Sequence, residues 1–286
     1  MKLGSLVGVG RTADVYAYGD DSVVKVLRAD IPRHWAALEA QFTAAVHARG
    51  LPTPEVRDLT EIDGRPAVVF ERIDGPSMWN EMAQSDASAA ALAKVLGRMH
   101  AELQAELAPA ELPALAERVA EKTSVAGALN SAERTEAGAI ARRLETAPAL
   151  CHGDLHPGNV LMSSRGPIMI DWYDAAAGPW IADVVRTSLL VRPLLSNDNP
   201  HHLPGASQEQ LAVVHRHYLE QVLTGHRVHP DLVRAWEAVL AAGRLAEKAE
   251  PDDAPLIALW RNRDEPDASP LLRDLRSLAV LQHAAE

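Results

Sequence analysis

Short runs in which apolar and polar residues alternate open the chain. Residues 3–9, 13–18 and 22–28 are Val- and Tyr-containing segments separated by Gly8-Val9-Gly10-Arg11 and Gly19-Asp20-Asp21, which predicts an antiparallel meander. The period then changes. Across 33–49, Trp35, Leu38, Phe42 and Val46 recur at helical spacing behind Pro32, and Gly50 ends the run. Residues 56–62, the Asp63-Gly64 turn and 65–73 predict a hairpin that closes the sheet. Asp74-Gly75-Pro76-Ser77 is the first clear break in composition.

Beyond that break the chain is rich in Ala and Leu, and helices are expected over 88–107, 113–144, 208–223, 230–247 and 269–281. Between 150 and 172 the helical pattern is interrupted by an irregular polar stretch and two short apolar segments, 159–162 and 167–170, flanking the turn at Ser163-Ser164-Arg165-Gly166. Such a stretch embedded in helices usually exists for a site. Residues 196–207, with two Pro, two Asn and two His, are expected to form a surface loop. Two domains follow from this pattern: 1–75, with a hinge at about 71–76, and 76–286, which contains the loop 151–174.

Composition narrows the function. With 28 Lys+Arg against 39 Asp+Glu the chain carries a formal charge of −11, which excludes a basic nucleic-acid binder. One cysteine, Cys151, builds no disulfide framework, and the opening residues lack the basic and apolar regions of a secretory signal, so a cytoplasmic protein is expected. Nor does any apolar run reach the roughly 20 residues that a membrane span needs.

The densest chemistry lies in Cys151-His152-Gly153-Asp154-Leu155-His156-Pro157-Gly158-Asn159, followed by Ile170-Asp171-Trp172. On a tight loop, Asp154 can face a nucleophile's proton while Asn159, and Asp171 after the next hairpin, supply oxygens to a metal. Oxygen donors of this kind suit Mg²⁺, which keeps phosphate oxygens and water among its ligands. Two other readings compete. His152 and His156 would suggest zinc on a helix, but Pro157 and Gly158 break the helix that this needs. Cys151 could be a nucleophile or a small buried residue, and no basic neighbour supports the former.

These motifs resemble the catalytic loop and metal segment of the protein-kinase-like fold, in the form found in the aminoglycoside phosphotransferase and choline kinase group. The resemblance covers about residues 4–190 and is most specific from His152 to Asp171. It implies an α+β, bilobal protein-kinase-like fold: a small antiparallel-sheet N-lobe with one helix and a large, mainly helical C-lobe. It also implies that Asp154 is the catalytic base, that Asn159 and Asp171 bind Mg²⁺, and that His156 lies near the transferred phosphate. His152 would anchor the loop, Asp183 would cap a helix and brace that loop, and Asp174 would face the acceptor.

The nucleotide-holding half of the pattern is present upstream. Gly8, Gly10 and Val15 fall in a G-x-G-x-x-A-x-V turn between two strands, where backbone amides can cover phosphates. Lys25 lies within an apolar strand with Val23 on its own face, placed to roof an adenine. Glu39, beside the apolar face of the following helix, is the candidate counter-charge; a solvated helix glutamate is the alternative. Phe70 takes the gatekeeper position, and backbone groups of Glu71 and Ile73 the adenine edge. No long activation segment follows Asp171, because Gly178-Pro179-Trp180 leads straight into a helix.

The implied activity is ATP- or GTP-dependent transfer of a γ-phosphate to a hydroxyl of a small polar molecule, with Mg²⁺. The acceptor stays open between an aminoglycoside- or macrolide-type antibiotic and a metabolite such as an amino alcohol, a sugar or a nucleoside. Glu220, Glu237 and Glu247 would suit a cationic acceptor, and solvated helix faces explain them as well. A nucleotide-binding regulator without turnover is the alternative from another class, and the intact Lys25, Asp154, Asn159 and Asp171 argue against it.

Overall fold

The computed structural model describes residues 3–191, 208–248, 253–265, 267–278 and 280–281; the expected surface loop at 196–207 lies outside them. The alternating segments at the start pair as strands. They are β1 (Leu3–Val9), β2 (Ala13–Tyr18) and β3 (Ser22–Leu27), then helix α1 (His34–His47) and the hairpin β4 (Val56–Ile62) and β5 (Arg65–Glu71). Helices α2 (Met78–Met82), α3 (Asp86–Gln104), α4 (Leu115–Ser124) and α5 (Ser131–Arg143) follow, and then the short strands β6 (Ala149–Cys151), β7 (Val160–Ser163), β8 (Gly166–Met169) and β9 (Ala176–Gly178). The remainder comprises α6 (Trp180–Val191), α7 (Gln208–Val222), α8 (Pro230–Arg244), α9 (Ala254–Arg261) and α10 (Pro270–Ser277). Among the described residues no helix is long and apolar enough to cross a membrane.

The chain divides into two units, Met1–Met78 with Gly158–Asp174, and Trp79–Pro157 with Ala175–Glu286. By packing, the β7–β8 hairpin therefore goes with the first unit and not with residues 79–157. In that unit the five-stranded sheet runs β1-β2-β3-β5-β4 with antiparallel neighbours. Alternation along β3 and β5 sorts their side chains onto two faces. Val24, Val26, Ala67 and Val69 pack on one face, while Leu27, Val68 and Phe70 on the other meet Ala36 and Ala40 of α1.

Three backbone contacts hold the β7–β8 hairpin in the first unit. Met162 donates to the Pro76 carbonyl and Met169 to the Pro52 carbonyl, each at 2.8 Å, and Ser77 bridges to Leu161. Gly75 makes this approach possible: its φ is +154° and a Cβ there would run into the Met162 carbonyl.

The second unit is helical, with Trp236, Trp260, Tyr218, Leu96 and Leu103 fully buried. Its pattern departs from the sequence expectation in places. The single helix expected over 113–144 is two, because Asn130 starts a new one with a capping box: its side chain accepts from the Glu133 N–H and Glu133 accepts from the Asn130 N–H, both at 2.9 Å. Helix α2, helix α9 and the β6–β9 pair were not anticipated, since none of them is long enough to display a period.

Candidate functional site

In the first unit, β3 places a lysine in an apolar surface and α1 answers it. Residues paired across strands share a face, so Val15, Lys25 and Val68 line up on the α1 side of the sheet, with Val23 and Phe70 beside them. Lys25 Nζ lies 2.7 Å from Glu39 Oε1 and 3.1 Å from Asp171 Oδ1. Glu39 is 3% exposed and sits among the buried residues Ala36, Ala40 and Thr43 of α1, so it is not a solvated helix glutamate. Nearer the helix start, Trp35 stacks on Tyr173 with ring centroids 4.3 Å apart, which fastens α1 to the Asp171 segment.

The charges in this cluster depend on one another. Burial by itself lowers the Lys25 pKa, but the charges of Asp171 and Glu39 outweigh it and hold the ammonium above its ordinary value. Burial pushes the Glu39 carboxyl up to about 7; Lys25 pulls it down, and the Asp171 charge adds to the rise. The lysine therefore stays charged, and the dry Glu39 carboxyl is pushed toward its neutral form.

The β7–β8 hairpin brings the candidate metal residues to one end. Val160 pairs with Met169, and Ile170 donates its N–H to the Asn159 carbonyl at 2.9 Å, so Asn159 and Asp171 flank the open end of the hairpin. Asp171 adopts φ +66°, a left-handed conformation that costs an L residue about 1–2 kcal/mol and that Asp tolerates better than most. An amide oxygen and a carboxylate fit a Mg²⁺ whose remaining ligands are phosphate and water. Asp174 ends the short 3₁₀ turn after Asp171 and is half-buried.

Other nucleotide candidates are placed as follows. Gly8 pairs with Val15, and Gly10 donates to the Ala13 carbonyl at 2.8 Å; Arg28 steadies this turn through the Gly10 carbonyl and Asp14, both at 2.9 Å. Phe70 is buried in the α1-side core, and Ile73 is half-buried past the end of β5. Glu71 donates its N–H to the Glu55 carbonyl at 2.8 Å, and its carboxylate takes Arg165 at 2.7 Å. That donor is therefore already used, by the residue just before β4.

In the second unit, one face of α6 organises the loop 152–157. Asp183, Arg186 and Thr187 are spaced i, i+3, i+4, so they project together. Asp183 accepts the N–H groups of His152 at 2.7 Å and Gly153 at 2.9 Å, and His100 lies 3.1 Å from the same carboxylate. It braces the loop from within the first turn of α6 without serving as its cap. Burial works to raise the Asp183 carboxyl, but His100, His152 and the Gly153 N–H together hold it below its ordinary value. Thr187 donates to the Leu155 carbonyl at 2.8 Å. Arg186 donates to the Gly153 carbonyl and to Asp154 Oδ1, both at 2.9 Å. His156 Nε2 is 3.9 Å from Asp154 Oδ2.

Sequence reasoning missed Arg186, Thr187 and His100. The signal was available for two of them, since polar residues at 183, 186 and 187 interrupt the otherwise apolar helix WIADVVRTSLLV on a single face.

Competing chemistries find little to work with. Cys151 is 1% exposed and its thiol is pushed well up by burial, with the Asp183 charge adding to the rise, so it is a packed residue and not a nucleophile. Among the described residues no group of three or more His, Cys, Asp or Glu is placed to hold a metal, and His152 is fully buried in the loop. Ser188, His215 and Asp274 form a chain of contacts at 3.1 and 3.5 Å that resembles a hydrolase triad, but Ser188 is 1% exposed in mid-helix. Glu237 and Glu247 are neither solvated nor turned to a cationic acceptor: Glu237 is 2% exposed, and Glu247 is buried among Arg186, Lys122 and Arg244.

Residues 4–200 match the model of a family described as the phosphotransferase enzyme family. No curated protein matches the chain. Among solved structures, an aminoglycoside 3′-phosphotransferase of type VIII is similar at TM-score 0.62 and 17% identity, over 85% of this chain and 93% of that one. A choline/ethanolamine kinase family protein from Mesorhizobium loti gives TM-score 0.55 and 18% identity over 97% and 92%. The GDP complex of wild-type aminoglycoside 2′-phosphotransferase-IIIa gives 0.52 and 19% over 97% and 92%. The fold is protein-kinase-like.

Proposed function

We propose, for a chain that belongs to the phosphotransferase enzyme family, that it moves the γ-phosphate of ATP or GTP to a hydroxyl of a small polar molecule. The observation that carries this reading is the ion cluster of Lys25, Glu39 and Asp171, assembled from a strand, a helix and a hairpin end that also presents Asn159. Residues 1–75 form the nucleotide-binding domain in this account, with the hairpin of Asn159 and Asp171 added to it, and the helical remainder takes the acceptor.

Each residue then has a role. Glu39 holds Lys25 so that its ammonium meets the α and β phosphates. Val15, Val23 and Phe70 enclose the adenine or guanine; the Gly8 and Gly10 turn covers the phosphates; the Glu71 carbonyl and Ile73 backbone take the base edge. A Mg²⁺ held by Asn159 and Asp171 would offset charge on the β and γ phosphates. Asp154 accepts the proton of the acceptor hydroxyl as its oxygen bonds to the γ phosphorus. The bond from that phosphorus to the bridging β–γ oxygen breaks, and a nucleoside diphosphate leaves. His156 stands near the moving phosphoryl group, and Asp174 faces the acceptor. Most of the rate comes from positioning and charge, as in phosphoryl transfer generally.

The acceptor class separates an antibiotic-modifying enzyme from a metabolic kinase. The acceptor panel comprises an aminoglycoside, a macrolide, choline, ethanolamine, a hexose and a nucleoside, each tested with Mg·ATP and with Mg·GTP. Following the γ-phosphate by ³¹P NMR, we expect a new phosphomonoester signal with one class. Nucleotide binding without transfer to any acceptor or to water would instead support the regulator that binds without turnover.

A further inference from the structure

We infer that Arg186, held in place by Glu247, is a positioning residue for Asp154; this rests on the proton-accepting role proposed above. The guanidinium is fixed on three sides. Its Nε donates to the Gly153 carbonyl at 2.9 Å, and one terminal nitrogen, Nη2, lies 2.9 Å from Asp154 Oδ1 and 2.9 Å from Glu247 Oε1. Side-chain exposure is 6% for Arg186 and 9% for Glu247, against 26% for Asp154, so the anchor is dry and the carboxylate it holds is reachable. A rigid planar fork holds a backbone carbonyl and a carboxylate in a fixed mutual geometry, which an ammonium on a flexible stem does not impose.

Glu247 has a separate task. An unaccompanied arginine at this position would bury a full charge with only the partly exposed Asp154 to offset it. Glu247 shares that guanidinium, and is itself held by Lys122 at 2.8 Å and Arg244 at 3.3 Å. Arg186 thus orients Asp154 while part of its charge is taken up from behind. Also facing Asp154 is His156, at 3.9 Å. Asp183 and Thr187, on the same helix face, already fasten the loop through its backbone groups, so Arg186 is not needed merely to attach the loop to α6.

The test is a double-mutant cycle of Arg186→Lys with Asp154→Asn, read as kcat at saturating Mg·ATP with water as the acceptor, together with the nucleotide Kd and the melting temperature. Misplacing a catalytic group by about 1 Å costs on the order of 10²-fold, so Arg186→Lys should lower kcat by about that factor with nucleotide Kd unchanged. In the Asp154→Asn background the same change should cost less than about threefold, because the group it positions has lost its function. Losses that multiply, or a nucleotide KM that rises while kcat holds, overturn the inference. If Arg186→Lys does not fold, Glu247→Gln replaces it in the same cycle with the same expected coupling; failure of both to fold makes the cluster structural and also overturns it. An Asp154→Asn variant with undiminished kcat overturns the proton-accepting role itself. A diminished one with multiplicative losses overturns only the part given to Arg186.

Discussion

Replacing Lys25 by Met removes a charge and keeps most of the stem. The structure predicts a pH-dependent cost. Glu39 titrates at about 7 in the fold against an ordinary value of 4.5. Because its folded pKa is raised, its contribution is most favourable to folding below 4.5 and is lost as pH rises to 7, then levels off. That loss amounts to about 3 kcal/mol at pH 7, from 1.36 kcal/mol per pKa unit. Without Lys25 the carboxyl stays protonated in the fold to higher pH, and the penalty continues to grow. The extra cost through Glu39 is then small near pH 7, where the group is already partly neutral, and grows as pH rises toward 9. Thermal melts of parent and Lys25→Met at pH 6.5 and pH 9 read this directly. Loss of the Asp171 pair acts at both pH values, and loss of the Glu39 pair adds to it as pH rises, so the melting points should lie further apart at the higher pH than at the lower. Phosphate transfer should fall by about 10²- to 10³-fold, the usual loss on removing one preorganised charge-stabilising donor. An equal drop in melting point at both pH values would refute the charge argument, and undiminished transfer would refute the role of Lys25.

Asp154→Asn keeps size and hydrogen bonding but removes a proton acceptor, so kcat should fall by about 10²- to 10⁴-fold with little change in nucleotide affinity, measured in steady state. Glu247 lies well below its ordinary 4.5: burial would raise it, but Arg186, Lys122 and Arg244 outweigh that. Its stabilising contribution is therefore present above pH 4.5 and lost as pH falls toward its folded value. Glu247→Gln should cost about 3–5 kcal/mol in denaturant unfolding at pH 7, because it leaves three cations without their shared anion, and the gap to the parent should narrow on acidification below pH 4. A gap that widens there would contradict this.

How much was legible depended on whether a residue's partner was near it in the pattern. Strands β1–β5 announced themselves through alternation and their Gly- and Asp-containing turns. Helix α1 was legible as an element and in most of its facing: of the expected stripe Phe42 and Val46 are buried, Trp35 packs against the core and Glu39 lies on the buried side as expected, while Ala36, Ala40 and Thr43 widen the buried face beyond what the stripe of large residues showed. Trp35 also stacks on Tyr173, a partner 138 positions away that no local period reveals. The loop 152–159 stood out because polar, Gly and Pro residues crowd an otherwise helical region. Its support did not, because Glu247 looks like any helix-end acid until Arg186 is brought to it, and an Asn at 130 gives little warning that a capping box will divide the expected helix.

Calorimetry of ATP and GTP binding reads whether a metal on Asn159 and Asp171 completes the nucleotide site. Parent protein and Asp171→Ala are compared with Mg²⁺ and with the metal chelated. The account predicts that the parent binds at least one of the two nucleotides far more tightly with Mg²⁺, and that Asp171→Ala loses most of this metal dependence while still folding. Equal binding of Mg·nucleotide by the two proteins would contradict it.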